Sequence, residues 1–123
     1  MNWNKRKGLH YENQAKNYLV QQGLALLKQN YRCRFGEIDL IMLQQGVLCF
    51  IEVKYRNSVA YGGAASAIST QKQKKIAKTA MFFVAENNSL KQHSMRFDAL
   101  LMQQQADNES PDIDWIQNAF YAE

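Results

Sequence analysis

The chain has 123 residues, 46% of them hydrophobic and 21% charged, and a formal net charge of +4. This length and apolar content suit a single domain, residues 1–123, with its own core, and exclude a disordered chain. The mild basicity is compatible with a polyanionic partner without demonstrating one.

The N-terminal MNWNKRKGLHYENQ has no apolar signal core, and no run approaches the ~20 apolar residues that span a bilayer, so no membrane partner is expected. Residues 1–7 read as a loose basic arm. From about Leu9 to Gln22 the spacing of Tyr11, Ala15 and Tyr18, with Leu19 beside them, predicts a helix closed by Gly23. Glu12 falls on the Ala15 and Leu19 side of that helix, a carboxylate bordering an apolar stripe.

Leu24–Lys28 reads as a short strand and residues 30–43 as a longer one, with Arg32 and Arg34 on a shared face. A turn at Gln44-Gln45-Gly46 leads to a strand over 47–55. Both faces of that strand are largely apolar, so it is expected at the centre of a sheet, covered on both sides. Cys33 and Cys49 lack metal-ligand spacing, and a hairpin centred on 44–46 sets Cys49 opposite about position 41 rather than Cys33. Reduced thiols in a cytoplasmic protein are the expectation.

Residues 56–64, with Tyr61-Gly62-Gly63, read as a loop. A long helix is predicted from Ala65 to Glu86, with Ile68, Ile76, Ala80, Phe83 and Val84 inward and Lys72, Lys74, Lys75 and Lys78 along its first half. Those lysines are either a solvated face or a phosphate-contacting one. Ser94–Met102 reads as a strand, with Phe97, Ala99 and Leu101 on one face and Arg96, Asp98 and Leu100 on the other. Residues 103–111 read as a flexible polar stretch, and Ile113–Ile116 as an edge strand followed by a docked Asn118-Ala119-Phe120. The order of elements predicts an α/β fold with a central mixed sheet flanked by helices.

The chemistry concentrates in GEIDLIMLQQGVLCFIEVK, residues 36–54. Glu52 and Lys54 share one strand face, and Glu37 and Asp39 share another. Carboxylates on a rigid strand pair suit Mg²⁺, which prefers oxygen ligands and keeps several waters. A neighbouring lysine can orient or deprotonate water, or stabilise a phosphoryl transition state. Asp39, Glu52 and Lys54, with Glu12 as a further ligand, are therefore the candidate set for phosphodiester hydrolysis. Structural ion pairs at a sheet edge are the bland alternative, against which the apolar setting of Phe50-Ile51-Glu52-Val53-Lys54 argues. His10 and His93 are isolated, so a zinc site is not expected, and neither a phosphate-binding glycine loop nor a Gly-x-Ser-x-Gly elbow occurs.

Several stretches carry a resemblance over nearly the whole chain. They are Gly8-x-x-x-Glu12-x-x-Ala15, Asn30-Tyr31-Arg32, Gly36-Glu37-Ile38-Asp39-Leu40-Ile41, Phe50-Ile51-Glu52-Val53-Lys54-x-Arg56, Tyr61-Gly62, Lys72, Arg96-Phe97-Asp98 and Asn118-Ala119-Phe120. In this order they resemble the UPF0102 (YraN-like) family, itself similar to the restriction-endonuclease-like PD-(D/E)xK superfamily and above all to its archaeal Holliday-junction resolvases. The resemblance implies a restriction-endonuclease-like sheet and a nuclease site using Mg²⁺ or Mn²⁺. It places acidic metal ligands at Asp39 and Glu52, the catalytic lysine at Lys54 and an assisting acid at Glu12. Here Gly36-Glu37-Ile38-Asp39 stands in place of the superfamily's Pro-Asp, keeping the aspartate in a different local backbone. The expected partner is DNA, branched or recombination intermediates included, contacted through Arg32, Arg34, Arg56, Lys72, Lys74 and Lys75. A homodimer is expected by analogy alone. A non-catalytic nucleic-acid-binding module and a protein-interaction scaffold remain open alternatives.

Overall fold

The computed structural model of the chain describes residues 3–56, 68–104 and 110–121, with side chains from Gly8 onward. Helix α1 spans Trp3–Gln21, so it begins inside the stretch expected to be a loose arm. Its last turn closes through Gly23, whose φ of +100° favours glycine, and the Leu24 N–H donates to the Leu19 carbonyl at 3.1 Å.

Strands β1 (Ala25–Cys33), β2 (Gly36–Gln44) and β3 (Val47–Arg56) follow as an antiparallel meander. The continuous strand expected over 30–43 is thus broken at Arg34-Phe35. The cause is Gly36, held at φ +152°, where an added Cβ would lie 3.3 Å from Thr79 Oγ1. The chain turns there against the next helix, and Arg34 stands in the turn instead of sharing a strand face with Arg32.

Helix α2 spans Thr70–Glu86 and starts five residues later than the expected Ala65, because Ser69 caps it: the Ser69 hydroxyl accepts from the Lys72 N–H at 3.1 Å. The loop expected over 56–64 lies outside the described residues except for Arg56, which ends β3. A single 3-10 turn at Asn88–Leu90 leads to β4 (Ser94–Gln103), which runs parallel to β3, and β5 (Asp112–Phe120) returns antiparallel to β4. Of the expected flexible stretch, residues 105–109 lie outside the described residues. The last strand is longer than the expected Ile113–Ile116 and takes in Asn118-Ala119-Phe120.

The sheet order is β1-β2-β3-β4-β5, a mixed α/β arrangement flanked by two helices and consistent with a restriction-endonuclease-like fold. As expected, β3 is central. On one face Ala15 and Leu19 of α1 pack on Leu40, Met42, Cys49, Ile51, Leu100 and Met102. On the other, Ile76, Ala80, Phe83 and Val84 of α2 pack on Ile38, Ile41, Phe50 and Phe97. Both cysteines are free. No helix among the described residues is long and apolar enough to cross a membrane.

The register of β5 depends on one buried carboxylate. Asp98 has no solvent exposure. Its Oδ1 accepts from Arg96 Nε at 2.9 Å and from the Asn118 N–H at 3.0 Å. Its Oδ2 accepts from Arg96 Nη2 and from Trp115 Nε1, each at 3.0 Å. Asn118 sits at φ +54°, at the irregularity where the β4–β5 ladder shifts, and turns its N–H towards Asp98. The Arg96-Phe97-Asp98 and Asn118-Ala119-Phe120 stretches are therefore structural partners.

Candidate active site

Strands β2 and β3 are paired from Gln44↔Val47 to Leu40↔Ile51, and there the ladder stops. Ile38 and Leu40, two residues apart, lie in opposite core layers, so the alternation of β2 breaks at Asp39. On β1, Asn30 sits opposite that break with φ +55°. The Val53 N–H, which an extended ladder would direct at β2 backbone, is taken instead by Asp39 Oδ2 at 2.8 Å. This parting of two strands exposes an opening that both helix layers can reach. Glu12 arrives from α1 and Lys72 from the start of α2.

The opening is a hollow of about 320 Å³ lined by Gly8, Tyr11, Glu12, Asp39, Glu52, Val53 and Tyr55. Glu52 is only 6% exposed. Its Oε1 lies 2.6 Å from Lys72 Nζ and 3.8 Å from Lys54 Nζ. Asp39, Glu52 and Lys54, read as one set from their spacing, are brought together, and Glu12 joins them. Glu37 does not. It faces solvent and pairs with Arg32 at 2.9 Å.

Burial dominates the electrostatics. It pushes the Asp39 carboxyl up to about 7, with the Glu52 charge adding to the rise and the Val53 N–H opposing it. Burial also raises the Glu12 pKa, against an Asn30 hydrogen bond that lowers it. Lys54 is lowered, first by burial and then by Lys72 beside it. Burial works against the Lys72 charge too, but its bond to Glu52 outweighs that, and its pKa stands above the ordinary value.

A pH dependence follows from Asp39. Between its ordinary 3.8 and about 7, folded Asp39 holds a proton that the unfolded chain has released. Stability therefore falls as pH rises through that window. Asp39→Asn removes this contribution, so in EDTA the variant gains on the wild type by on the order of 1–2 kcal/mol between about pH 5 and pH 8, after allowance for residual solvent screening. Urea unfolding at the two pH values measures it. A gap between wild type and variant that does not change with pH removes Asp39 as the source.

Among the described residues no group of three or more acidic, histidine or cysteine side chains is placed to hold a metal ion. The donor set nonetheless fits one kind of ion. Three carboxylates line one hollow, and Glu12 Oε1 is buried there without a hydrogen-bond partner. Few, hard, oxygen-only donors suit Mg²⁺ or Mn²⁺, which keep part of their water shell; they do not suit zinc.

The family model described as "Uncharacterised protein family UPF0102" matches residues 11–102, which contain Glu12, Asp39, Glu52, Lys54 and Lys72. The chain belongs to the UPF0102 family. It is 45% identical over 114 residues to a UPF0102 protein of Nitrosomonas europaea, covering 93% of this chain and 92% of that one. To a UPF0102 protein of Psychromonas ingrahamii it is 47% identical over 114 residues, covering 93% and 88%. A UPF0102 protein of Methylobacillus flagellatus is 42% identical over 118 residues, covering 96% and 99%.

The cations read from the sequence of this family member fall in different settings. Lys72 is at the site itself, as an ion-pair partner of Glu52. Lys75 lines an adjoining hollow with Gly36, Glu37 and Lys72. Lys74 lies on a separate groove. Arg32 is paired with Glu37, Arg34 stacks 4.9 Å over the Phe35 ring, and Arg56 donates to the Tyr55 carbonyl at 3.3 Å. Spacing alone did not reveal Tyr11 and Tyr55, whose rings stack at 3.6 Å on the hollow, or Asn30, whose side chain acts to lower the Glu12 pKa. A tyrosine next to the helix glutamate and another two residues past Val53 were the available signals.

Proposed function

We propose that this protein is a Mg²⁺- or Mn²⁺-dependent endonuclease that hydrolyses phosphodiester bonds in DNA, with branched or recombination intermediates as its substrate class. The observation that carries this reading is the meeting of Asp39, Glu52, Lys54 and Lys72 where β2 and β3 part, with Glu12 closing the same hollow.

Asp39 and Glu52 would hold the ion, with Glu12 at its edge. When bound, it supplies charge neutralisation at the scissile phosphate and a more acidic water. Asp39, Glu52 and Glu12, crowded in a buried hollow, would repel one another less with a cation between them. The protein's own lysines divide the remaining work. Their environments push their pKa values apart, a pattern that assigns acid–base roles. Lys54, lowered, is the one able to take up and return a proton from the attacking water. Lys72, held charged by Glu52, is the one suited to face the charge that builds on the phosphate oxygens. Tyr11 and Tyr55 wall one side of the hollow with stacked rings.

The test is an end-labelled cleavage assay on single-stranded, duplex, flapped and four-way-junction DNA with Mg²⁺, Mn²⁺ or EDTA, comparing wild type with Asp39→Asn. Cuts that need metal and vanish in the variant are the expected result, and the substrate cut fastest names the preferred structure. Wild-type cleavage by Asp39→Asn removes that residue from the site. Binding without cleavage by either protein selects a nucleic-acid-binding module; neither binding nor cleavage selects a protein-interaction scaffold.

A further inference from the structure

On the outer side of α2 lies a second, larger opening of about 1040 Å³, separate from the carboxylate hollow. Its apolar lining includes Phe35 from the β1–β2 turn, Met81 and Phe82 from α2, and Tyr121 after β5. Met81 is 55% and Tyr121 76% exposed, so large apolar and aromatic surfaces face water. Phe35 and Phe82 are held edge to face at 6.0 Å, which sets two ring planes in fixed orientations. Lys74 and Lys78 line the same groove, Arg34 lies over Phe35 beside it, and no acidic side chain is among its described lining residues.

This combination selects the occupant. A second copy of the chain, docked through the same face, would bring two copies of Lys74 and Lys78 onto one shared interface with no carboxylate among the described lining residues to offset them. A polyanion whose units have flat apolar faces satisfies both the rings and the lysines. We infer that the groove is a binding site for unpaired nucleotides, whose bases stack on Tyr121 and its aromatic neighbours while Lys74 and Lys78 meet the phosphates. Stacking platforms beside cationic side chains are how single strands are bound without sequence readout.

The placement links this groove to the catalytic hollow and deepens the nuclease reading, on which it rests. Lys72, Lys75 and Lys78 follow one another at three-residue steps along α2, a path of ~9 Å along the helix axis. Lys72 touches Glu52, Lys75 lines a further hollow together with Lys72 and Glu37, and Lys78 lines the groove. A strand anchored by unpaired bases in the groove has a row of cations leading towards the carboxylates. The substrate class is then DNA with an unpaired segment beside the scissile bond, as in flaps and open junctions, in preference to blunt duplex.

Fluorescence anisotropy of the full chain in EDTA tests this without cleavage. Labelled oligothymidylate and a blunt duplex are titrated into wild type, Tyr121→Ala and Tyr121→Phe. Tyr121 is so exposed that neither change threatens folding. The expected result is an affinity for the single strand about tenfold lower in Tyr121→Ala and retained in Tyr121→Phe, with duplex binding nearly unchanged. Equal loss on both ligands, or no loss on either, overturns the inference and leaves the nuclease reading standing. A wild-type dimer that dissociates in Tyr121→Ala, by light scattering, with unchanged single-strand affinity also overturns it and makes the groove a self-association face. Wild type that binds neither ligand overturns the groove and the nucleic-acid reading together.

Discussion

Asp98→Ala lowers folding stability by about 3–5 kcal/mol, a large part of what a domain of this size possesses. The carboxylate is fully buried and holds Arg96, Trp115 Nε1 and the Asn118 N–H at once. Removing it leaves the Arg96 guanidinium, whose side chain is 12% exposed, without its counterion. It also leaves two donors without an acceptor, each costing about 1–3 kcal/mol. Asp98→Asn keeps one acceptor oxygen but no charge, and falls between wild type and alanine. Thermal unfolding should show the alanine variant melting roughly 10–20 °C lower. Because β5 is held to β4 at this point, hydrogen exchange of β5 amides should rise before that of β3 amides. A loss below about 1 kcal/mol would show that Arg96 and Trp115 find other partners, and that the buried network does not fix the register.

Lys54→Ala should keep the fold and lose cleavage rate by about 10²- to 10⁴-fold, with DNA affinity changed far less. Lys54 is the lysine whose pKa the site depresses, so on the proposed mechanism its removal takes away the proton acceptor and leaves Lys72 for the phosphate. Glu52→Gln gives the sharper stability contrast. It removes the buried anion from between Lys54 and Lys72 and leaves the two ammonium groups facing each other without it. The cost to the metal-free protein is at most ~1–3 kcal/mol, because both lysines are partly exposed. Single-turnover cleavage and equilibrium binding, measured on the same substrate, separate the two effects. Parallel loss of rate and affinity in Lys54→Ala would reduce Lys54 to a phosphate anchor and transfer the proton role elsewhere.

The two helices, the central β3 strand and the pairing of apolar faces follow from periodicity, because burial repeats every 3.6 residues in a helix and every two in a strand. The Asp39, Glu52 and Lys54 set was legible for the same reason: charges inside an apolar strand must be compensated. Glu12 was visible as a carboxylate on the wrong side of an amphipathic helix. The break of β1 from β2 at Gly36 was not legible, since Arg32 to Asp39 alternates well enough to read as one strand. Gly36 lies so near α2 that a Cβ there would come within 3.3 Å of Thr79 Oγ1, a constraint set some 40 residues away.

Local pattern thus determined which residues are inward, which are strand or helix, and which charges need partners. Only the tertiary structure decided the partners themselves. It assigned Lys72 to Glu52 and Asp98 to Arg96, Trp115 and Asn118, and it ended the β2–β3 ladder at Leu40 and Ile51 so that one opening admits side chains from both faces. Periodicity reports a residue's face but not its distance from residues far along the chain, and the chemistry proposed for this protein depends on those distances.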